Sequence, residues 1–211
     1  MKARLLFLFI FISAQIAVAQ NAKDILDKVA TTYKQSPGFI LSFTINTNDI
    51  ANKTTYSHDG TAHIKGNKFK IQVPDGITWF DGKTQWVYMT GGDEVNVSNP
   101  TGEELAAISP VALLNLYKSG FKLKNKGEKT ENGKKVYLIE MIPEKKGSDV
   151  EKFDLKIDKA SNLFTSISIY QKDKVNNQLI IKSTKEQSSI DDKVFTFNQN
   201  DYPDVEVIDL R

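Results

Sequence analysis

Cysteine is absent from this chain of 211 residues, and histidine occurs only twice. Without cysteine the chain forms no disulfide, and a lipid-anchored lipoprotein, which needs a lipidated cysteine, is excluded. The histidines, His58 and His63, stand an odd number of positions apart in one predicted strand. Their side chains therefore point to opposite faces and cannot converge on one metal ion. The sequence predicts no metal site.

An excess of either charge is lacking as well. The chain has 28 basic and 26 acidic residues, a formal charge of +2, which is too small to attract nucleic acid. The motifs G-x-S-x-G, H-E-x-x-H, G-x-G-x-x-G and the P-loop are missing. The adjacent carboxylates Glu103-Glu104 and Asp191-Asp192 fall on predicted caps and turns. We therefore expect no nucleic-acid partner, no cofactor and no catalytic residues.

The longest apolar run lies at the start of the chain. A basic beginning and eight apolar residues, 5–12, precede the small-residue site Ala17-Val18-Ala19. This order is typical of a secretory signal peptide, and the run is too short to span a membrane. The sequence predicts a cleaved signal peptide over residues 1–19 and one exported domain over residues 20–211.

The clearest structural signal lies between Gly76 and Ser98. Three short apolar runs alternate there with Asp81-Gly82 and Gly91-Gly92-Asp93, which predicts a β-meander. Asp-Gly favours a two-residue type I′ turn. The middle strand, residues 84–89, carries large side chains at both parities, so we expect both of its faces to be covered.

Strands also dominate the rest of the chain. A predicted amphipathic helix begins near Asn21 and ends at Ser36-Pro37-Gly38. The strand from Phe39 to Ile45 then alternates apolar residues on one face, and strands resume beyond Gly120. We expect the strands up to the meander to pair in sequential antiparallel order.

Two short helices interrupt the strands in mid-chain. Thr101 and Glu104 have the spacing of a capping box, and Ser109-Pro110 places a cap and an N1 proline before a second helix. The predicted fold class is α+β: an unclosed antiparallel β-barrel, or half-barrel, with helices across its mouth. Large apolar residues exceed what one sheet face needs, and either a thick core or an apolar ligand pocket explains them.

The segment Asp81-Gly82-Lys83-Thr84-Gln85-Trp86-Val87-Tyr88 carries a family resemblance. Together with Ser109-Pro110 before an apolar helix and a C-terminal Val-Glu-Val-Ile-Asp, it resembles LolA, the periplasmic outer-membrane lipoprotein carrier. The resemblance extends from about Ala22 to Asp209. It implies a half-barrel whose helices cap a hydrophobic cavity.

The resemblance implies a monomeric carrier in the periplasm of a Gram-negative bacterium. Such a carrier takes lipoproteins from an inner-membrane ABC transporter, covers their acyl chains, and passes them to an outer-membrane acceptor. It also implies a cavity large enough for a fatty tail and a lid built from the two mid-chain helices. The acyl-chain cavity is expected to be lined by Phe43, Phe69, Trp79, Trp86, Tyr88, Leu113, Leu114 and Tyr117. The lid is expected to use Leu105, Ile108 and Val111.

One position departs from the family pattern. Well-studied members carry lysine-arginine-proline after the second strand, where the arginine holds the lid, whereas this chain has Lys65-Gly66-Asn67. Lys65 is therefore the candidate lid latch, although a lysine lacks the bidentate fork of arginine. Three alternatives stay open: a lipid- or lipoprotein-sensing regulator of the same fold, the outer-membrane acceptor, which needs the missing cysteine, and a secreted enzyme.

Overall fold

Twelve strands hydrogen-bond into one sheet in the computed structural model, which describes residues 22–211. The predicted signal peptide, residues 1–19, lies outside the described residues. The helices are α1 (22–35), α2 (Gly102–Ile108) and α3 (Pro110–Leu116), with 3₁₀ turns at Asp192–Phe195 and Gln199–Asp201. The strands are β1 (Phe39–Asp49), β2 (Thr54–Lys65), β3 (Lys68–Val73), β4 (Gly76–Phe80), β5 (Gln85–Met89), β6 (Glu94–Ser98), β7 (Phe121–Glu131), β8 (Lys134–Pro143), β9 (Val150–Asp158), β10 (Phe164–Gln171), β11 (Val175–Glu186) and β12 (Glu206–Asp209).

The sheet is open, and β1 lies near its centre. The spatial order is β12-β6-β5-β4-β3-β2-β1-β11-β10-β9-β8-β7. Strands β1 to β6 therefore lie side by side in chain order, as predicted, and β7 and β12 are free edges. The predicted α+β fold with an unclosed, mainly antiparallel sheet is confirmed. The long-range pairing of β1 with β11 and the parallel pairing of β12 with β6 were not predicted.

The inner face of the sheet follows from alternation along β1. Phe39, Leu41 and Phe43 are buried in one apolar core that also takes in the stripe of α1. Residues that lie directly opposite each other on neighbouring strands share a face. The strand register therefore shows which residues of the other strands lie on the same face as Phe39, Leu41 and Phe43. Tyr33 of α1 packs against Phe39, with ring centroids 5.3 Å apart. The helix thus packs on the inner face of the sheet. None of the described helices is long and apolar enough to span a membrane.

The Asp81-Gly82 pair marks a hairpin, but the predicted two-residue turn is wrong. Strand β4 ends at Phe80 and β5 begins at Gln85, so four residues connect them. Only Gly82 of the pair has a positive φ, 103°. The Asp81 carboxylate instead accepts hydrogen bonds from the amides of Lys83 and Thr84, at 2.9 and 2.8 Å. These hydrogen bonds to the Asp81 side chain stabilise a different turn from the type I′ turn that Asp-Gly favours.

A second apolar cluster lies on the outer face of β4 to β6. The segment 187–205, which we call the C-terminal strap, crosses this face. Its Phe197 and Tyr202 rings lie 5.6 and 5.8 Å from Trp79, and Tyr202 lies 5.1 Å from Tyr88. The strap covers Tyr88 on the outer side of the middle strand. On the other side Gln85 is buried, but Met89 is 57% exposed and Val87 lies outside the buried core. The prediction that both faces of this strand are covered is therefore wrong for the inner side.

Polar contacts fasten the strap to the sheet. Lys65 donates to the carbonyl oxygen of Ile190 and to the Asp192 carboxylate, at 2.8 Å in both cases. Lys68 donates to the other oxygen of Asp192 at 2.7 Å. Hydrogen bonds from Lys65 and Lys68 lower the pKa of Asp192 to about 2, from an ordinary value of 3.8.

This lowered pKa predicts acid sensitivity of the strap. A carboxyl group with a depressed pKa in the folded state contributes stability that is complete above its ordinary pKa and is lost as the pH falls through its folded value. We expect the protection factors of the amides in residues 187–205, that is, exchange relative to the intrinsic rate at each pH, to fall between pH 4 and pH 2. Exchange measured by NMR or mass spectrometry checks this. Asp192→Asn should show fast exchange already at pH 5, whereas Asp204→Asn, also in the strap, should behave as wild type. A strap equally protected at pH 2 and pH 5 would contradict the assignment.

Candidate functional site

Helices α2 and α3, which we call the lid helices, lie over the inner face of the sheet. The Thr101 hydroxyl accepts from the amide of Glu104, and the Glu104 carboxylate accepts from the amide of Thr101 at 2.6 Å, so the predicted capping box is formed. Pro110 begins α3 at its first position. Each lid helix has only seven residues. Helices of this length are unstable alone, so packing against the sheet holds them in place.

The space beneath the lid helices is small. It amounts to about 40 Å³, whereas pockets for small ligands have roughly 300–1,000 Å³. An open hollow for a fatty tail was expected, but the described residues beneath the lid helices leave no space of that size. The cavity is lined by Leu41, Phe43, Ile45, Ala62, Ile64, Phe69, Ile71, Ile108, Ser109, Pro110 and Leu179. A ligand therefore has to displace the lid helices or the side chains beneath them.

Five of the residues expected to line the acyl-chain cavity do lie on the inner side. Phe43, Phe69, Leu113, Leu114 and Tyr117 all belong to the buried core between the sheet and the helices. Only Phe43 and Phe69 border the residual cavity itself. The other three fill the interface between α3 and the sheet, where displacement of the helix would expose them.

The other three expected cavity residues lie on the opposite face of the sheet. Trp79 opposes Trp86 in the register, and Tyr88 opposes Ile77, whereas the inner row runs through Phe69 and Phe80. Because successive side chains along a strand point to opposite faces of the sheet, these two rows lie on opposite faces. Trp79, Trp86 and Tyr88 therefore belong to the outer face, where the strap packs against Trp79 and Tyr88. Their placement in the cavity is wrong.

The three residues expected in the lid differ in how deeply they are buried. Val111 is buried, Leu105 packs half-buried against the core, and Ile108 remains 40% exposed although it borders the cavity. Ile108 thus stands at the rim, where the cavity meets solvent.

Lys65 is not the lid latch. Its neighbour Ile64 points inward, so alternation turns the Lys65 side chain outward, where it binds the strap through Ile190 and Asp192. A different pair holds the lid helices. The Tyr117 hydroxyl, directly after α3, donates a short hydrogen bond to the Asp27 carboxylate of α1. This hydrogen bond joins the end of the lid to α1.

The electrostatics of this pair follow from its surroundings. Hydrogen bonds from Lys23 and then Tyr117 lower the pKa of Asp27. Burial, and then the Asp27 carboxylate, raise the pKa of Tyr117. The carboxylate is therefore ionised and the phenol protonated at neutral pH, which favours the hydrogen bond. The residues are 90 positions apart, and no local pattern in the sequence announces such a pairing.

Ser109 is the polar exception in the cavity lining. It occupies the cap position before α3, but its side chain makes no capping hydrogen bond. The residue is only 1% exposed, and its Oγ has no hydrogen-bond partner. Leaving a buried hydroxyl unpaired costs about 1–3 kcal/mol. Ser109 thus occupies the predicted N-cap position, but the predicted capping hydrogen bond is not formed. The unpaired hydroxyl destabilises the closed state of the lid.

A metal site needs a cluster of possible metal ligands. Among the described residues, no three His, Cys, Asp or Glu side chains are grouped so that they could hold a metal ion. His58 opposes Ile45 of the inner row and His63 opposes Ile40 of the outer row, so the two histidines do lie on opposite faces.

The comparisons with known proteins concern the family and the fold. A family model described as outer membrane lipoprotein carrier protein LolA matches residues 12–174. No curated protein sequence matches the chain. The structure is similar to that of an uncharacterized conserved protein from Thermus thermophilus, with a TM-score of 0.61, 14% identity, and coverage of 90% of this chain and 99% of that one. A DUF1329 family protein from Desulfovibrio piger is also similar, with a TM-score of 0.51, 12% identity, and coverage of 85% and 97%. Both likenesses concern the fold alone.

Removing the lid contact should loosen the lid. Tyr117→Phe and Asp27→Ala both delete the hydrogen bond between the end of α3 and α1, which is worth about 1.5–3 kcal/mol because one partner is charged. We expect amide exchange of residues 102–117 to accelerate about tenfold. Asp24→Ala, an exposed position on the same helix, serves as the control and should leave exchange unchanged. Equal exchange in all three variants and wild type would show that the contact does not hold the lid.

Removing the unpaired hydroxyl should have the opposite effect. Ser109→Ala deletes a buried group without a partner, so we expect the free energy of unfolding to rise by about 1 kcal/mol and exchange in the lid helices to slow. The control is Ser166→Ala, because the Ser166 hydroxyl is also buried and unpaired but lies on β10, away from the lid. Ser166→Ala should stabilise the fold without slowing the lid. Denaturant unfolding and hydrogen exchange measure both effects, and a destabilised Ser109→Ala protein would refute the explanation.

Proposed function

This chain belongs to the LolA family of outer membrane lipoprotein carriers, and on that premise we propose that it binds the acyl chains of lipoproteins and carries them across the periplasm. The observation that carries the proposal is the construction of the lid: two seven-residue helices cover an apolar inner face. The partners that follow are an inner-membrane ABC transporter as the donor and an outer-membrane acceptor. We further propose that the protein works as a monomer and as a binding protein rather than an enzyme.

The closed lid suits a carrier because a carrier has to release its cargo. Burial of one methylene group is worth about 0.8 kcal/mol, so one fully covered C16 chain would contribute on the order of 12 kcal/mol. Three such chains would exceed the practical affinity ceiling of roughly 20 kcal/mol. A cargo bound that tightly could not be handed on. The binding free energy has to be offset, and opening a closed lid offsets it.

The packing of α3 against the sheet supplies the free energy that offsets binding of the acyl chain. Because the cavity in the closed state holds only about 40 Å³, entry of a chain separates α3 from the sheet and removes Leu113, Leu114 and Tyr117 from their present contacts. The free energy of these contacts is lost when a chain binds and regained when it leaves. The unpaired Ser109 hydroxyl limits the loss, since opening hydrates that group.

A lipopeptide-binding experiment tests the proposal. The mature protein is mixed with a synthetic triacylated lipopeptide, and co-migration in size-exclusion chromatography measures how much lipopeptide it keeps in solution. We expect Leu114→Glu to reduce retention at least tenfold, because a carboxylate on the inner side of α3 opposes contact with an acyl chain. The matched control is Asn115→Glu, one position along the same helix, where the side chain is exposed.

Circular dichroism of both variants confirms that the sheet is intact. Failure of the wild-type protein to retain any lipopeptide would refute the proposed function. Equal loss of retention in both variants would refute the role assigned to the inner side of α3.

A further inference from the structure

The sheet has an opening between β2 and β3. Strand β2 runs from Thr54 to Lys65, but its pairing with β3 extends only to the pair Thr61–Gln72. Gly60, the next residue of β2, has no partner on β3. Residues 54–60 of β2 are therefore unpaired on the side of β3, although Gly60 still lies close to the carbonyl oxygen of Gln72. We call this unpaired stretch the opening.

The ring of Phe43 fills this opening. Phe43 opposes Gly60 across β1 and β2, and a Cβ atom at residue 60 would lie 2.5 Å from both the Cε2 and the Cζ atoms of the ring. The same Cβ would lie 2.8 Å from the carbonyl oxygen of Gln72. Only glycine at position 60 leaves room for the ring. An aromatic side chain that covers a glycine on the neighbouring strand is a known stabilising arrangement.

Phe43 borders two spaces, one on each side of the sheet. On the inner side it lines the 40 Å³ cavity beneath the lid helices. On the outer side it lines a groove of about 640 Å³, a volume within the range of ligand pockets. Phe43 is the one residue that the two linings share. Besides Phe43, the lining of the groove includes Asp59, Gln72, Tyr88, Lys182 and Tyr202.

The two spaces differ in chemistry. The cavity lining is apolar apart from Ser109. The groove carries hydroxyl and amide groups that can donate hydrogen bonds, and it ends at the rings of Tyr88 and Tyr202, 5.1 Å apart. Its charged residues compensate each other, because Lys182 donates to the Asp59 carboxylate at 2.6 Å. The groove therefore suits a neutral polar group that accepts hydrogen bonds, with tyrosine rings as amphipathic walls.

We propose that Phe43 gates a passage through the sheet, so that the acyl chains of a ligand enter the lid cavity while its ester- and amide-linked polar end stays in the outer groove. The inference rests on the proposed function and adds where the polar end of the ligand lies. A rotation about χ1 moves the ring from the opening. Each part of an amphiphile then meets matching surroundings, since ester and amide carbonyls face hydrogen-bond donors and methylene groups face the apolar interior.

A spectroscopic experiment locates the two ends of a bound ligand. The chain contains no cysteine, so Gln72→Cys, at an exposed position in the groove, takes a single bimane fluorophore. The probe is a synthetic triacylated lipopeptide with a nitroxide quencher either at its peptide end or at the terminal methyl of an acyl chain. We expect the head-labelled probe to quench the fluorophore at least threefold more than the tail-labelled probe. Thr130→Cys, exposed on the distant edge strand β7, is the control and should be quenched by neither.

A second variant tests the gate itself. Phe43→Ala should speed association of the lipopeptide at least fivefold, because the passage no longer waits for a ring to move. Equal or stronger quenching by the tail-labelled probe would overturn the proposal, as would bound lipopeptide that leaves the fluorophore unquenched. In both cases retention of the lipopeptide in solution shows that the proposed function still stands. Absence of any retention would overturn the function and the passage together.

Discussion

The structure depends on covering the apolar inner face of a sheet that does not close. Strands β1 to β4 and β7 to β11 supply the apolar side chains of the inner face, and an open sheet cannot bury them against itself. One long helix, α1, and two short lid helices cover it. The lid helices are too short to persist without the sheet, and the sheet would expose a large apolar surface without them. The two parts therefore stabilise each other.

On the proposed function, this mutual dependence allows a fatty chain to take the place of the lid. A fatty chain can replace the lid side chains because it offers the sheet the same kind of contact, so exchange of one for the other changes the total free energy little. The polar contacts decide the balance. The Tyr117–Asp27 hydrogen bond favours the closed arrangement, and the unpaired Ser109 hydroxyl disfavours it. A carrier needs this near balance, because both loading and release have to proceed.

The sequence predicted the elements better than their partners. Alternation along β1 and the capping box at Thr101 are local patterns, and both were correct. The outer-face position of Trp79 was missed because apolar residues at both parities indicate two covered faces without saying what covers each one. The cover is the C-terminal strap, more than a hundred residues later. Lys65 was misplaced although the inward position of Ile64 could have excluded it, since neighbours on a strand point to opposite faces.

The decisive test of lid opening is the distance between the lid helices and the sheet when a ligand binds. Because the chain lacks cysteine, spin labels at Asn115→Cys on α3 and Lys185→Cys on β11 allow this distance to be measured by pulsed electron paramagnetic resonance. Both positions are exposed. The account predicts one short, narrow distance distribution for the free protein and a longer one once a triacylated lipopeptide is bound. An unchanged distribution in a sample that demonstrably holds the lipopeptide would contradict it.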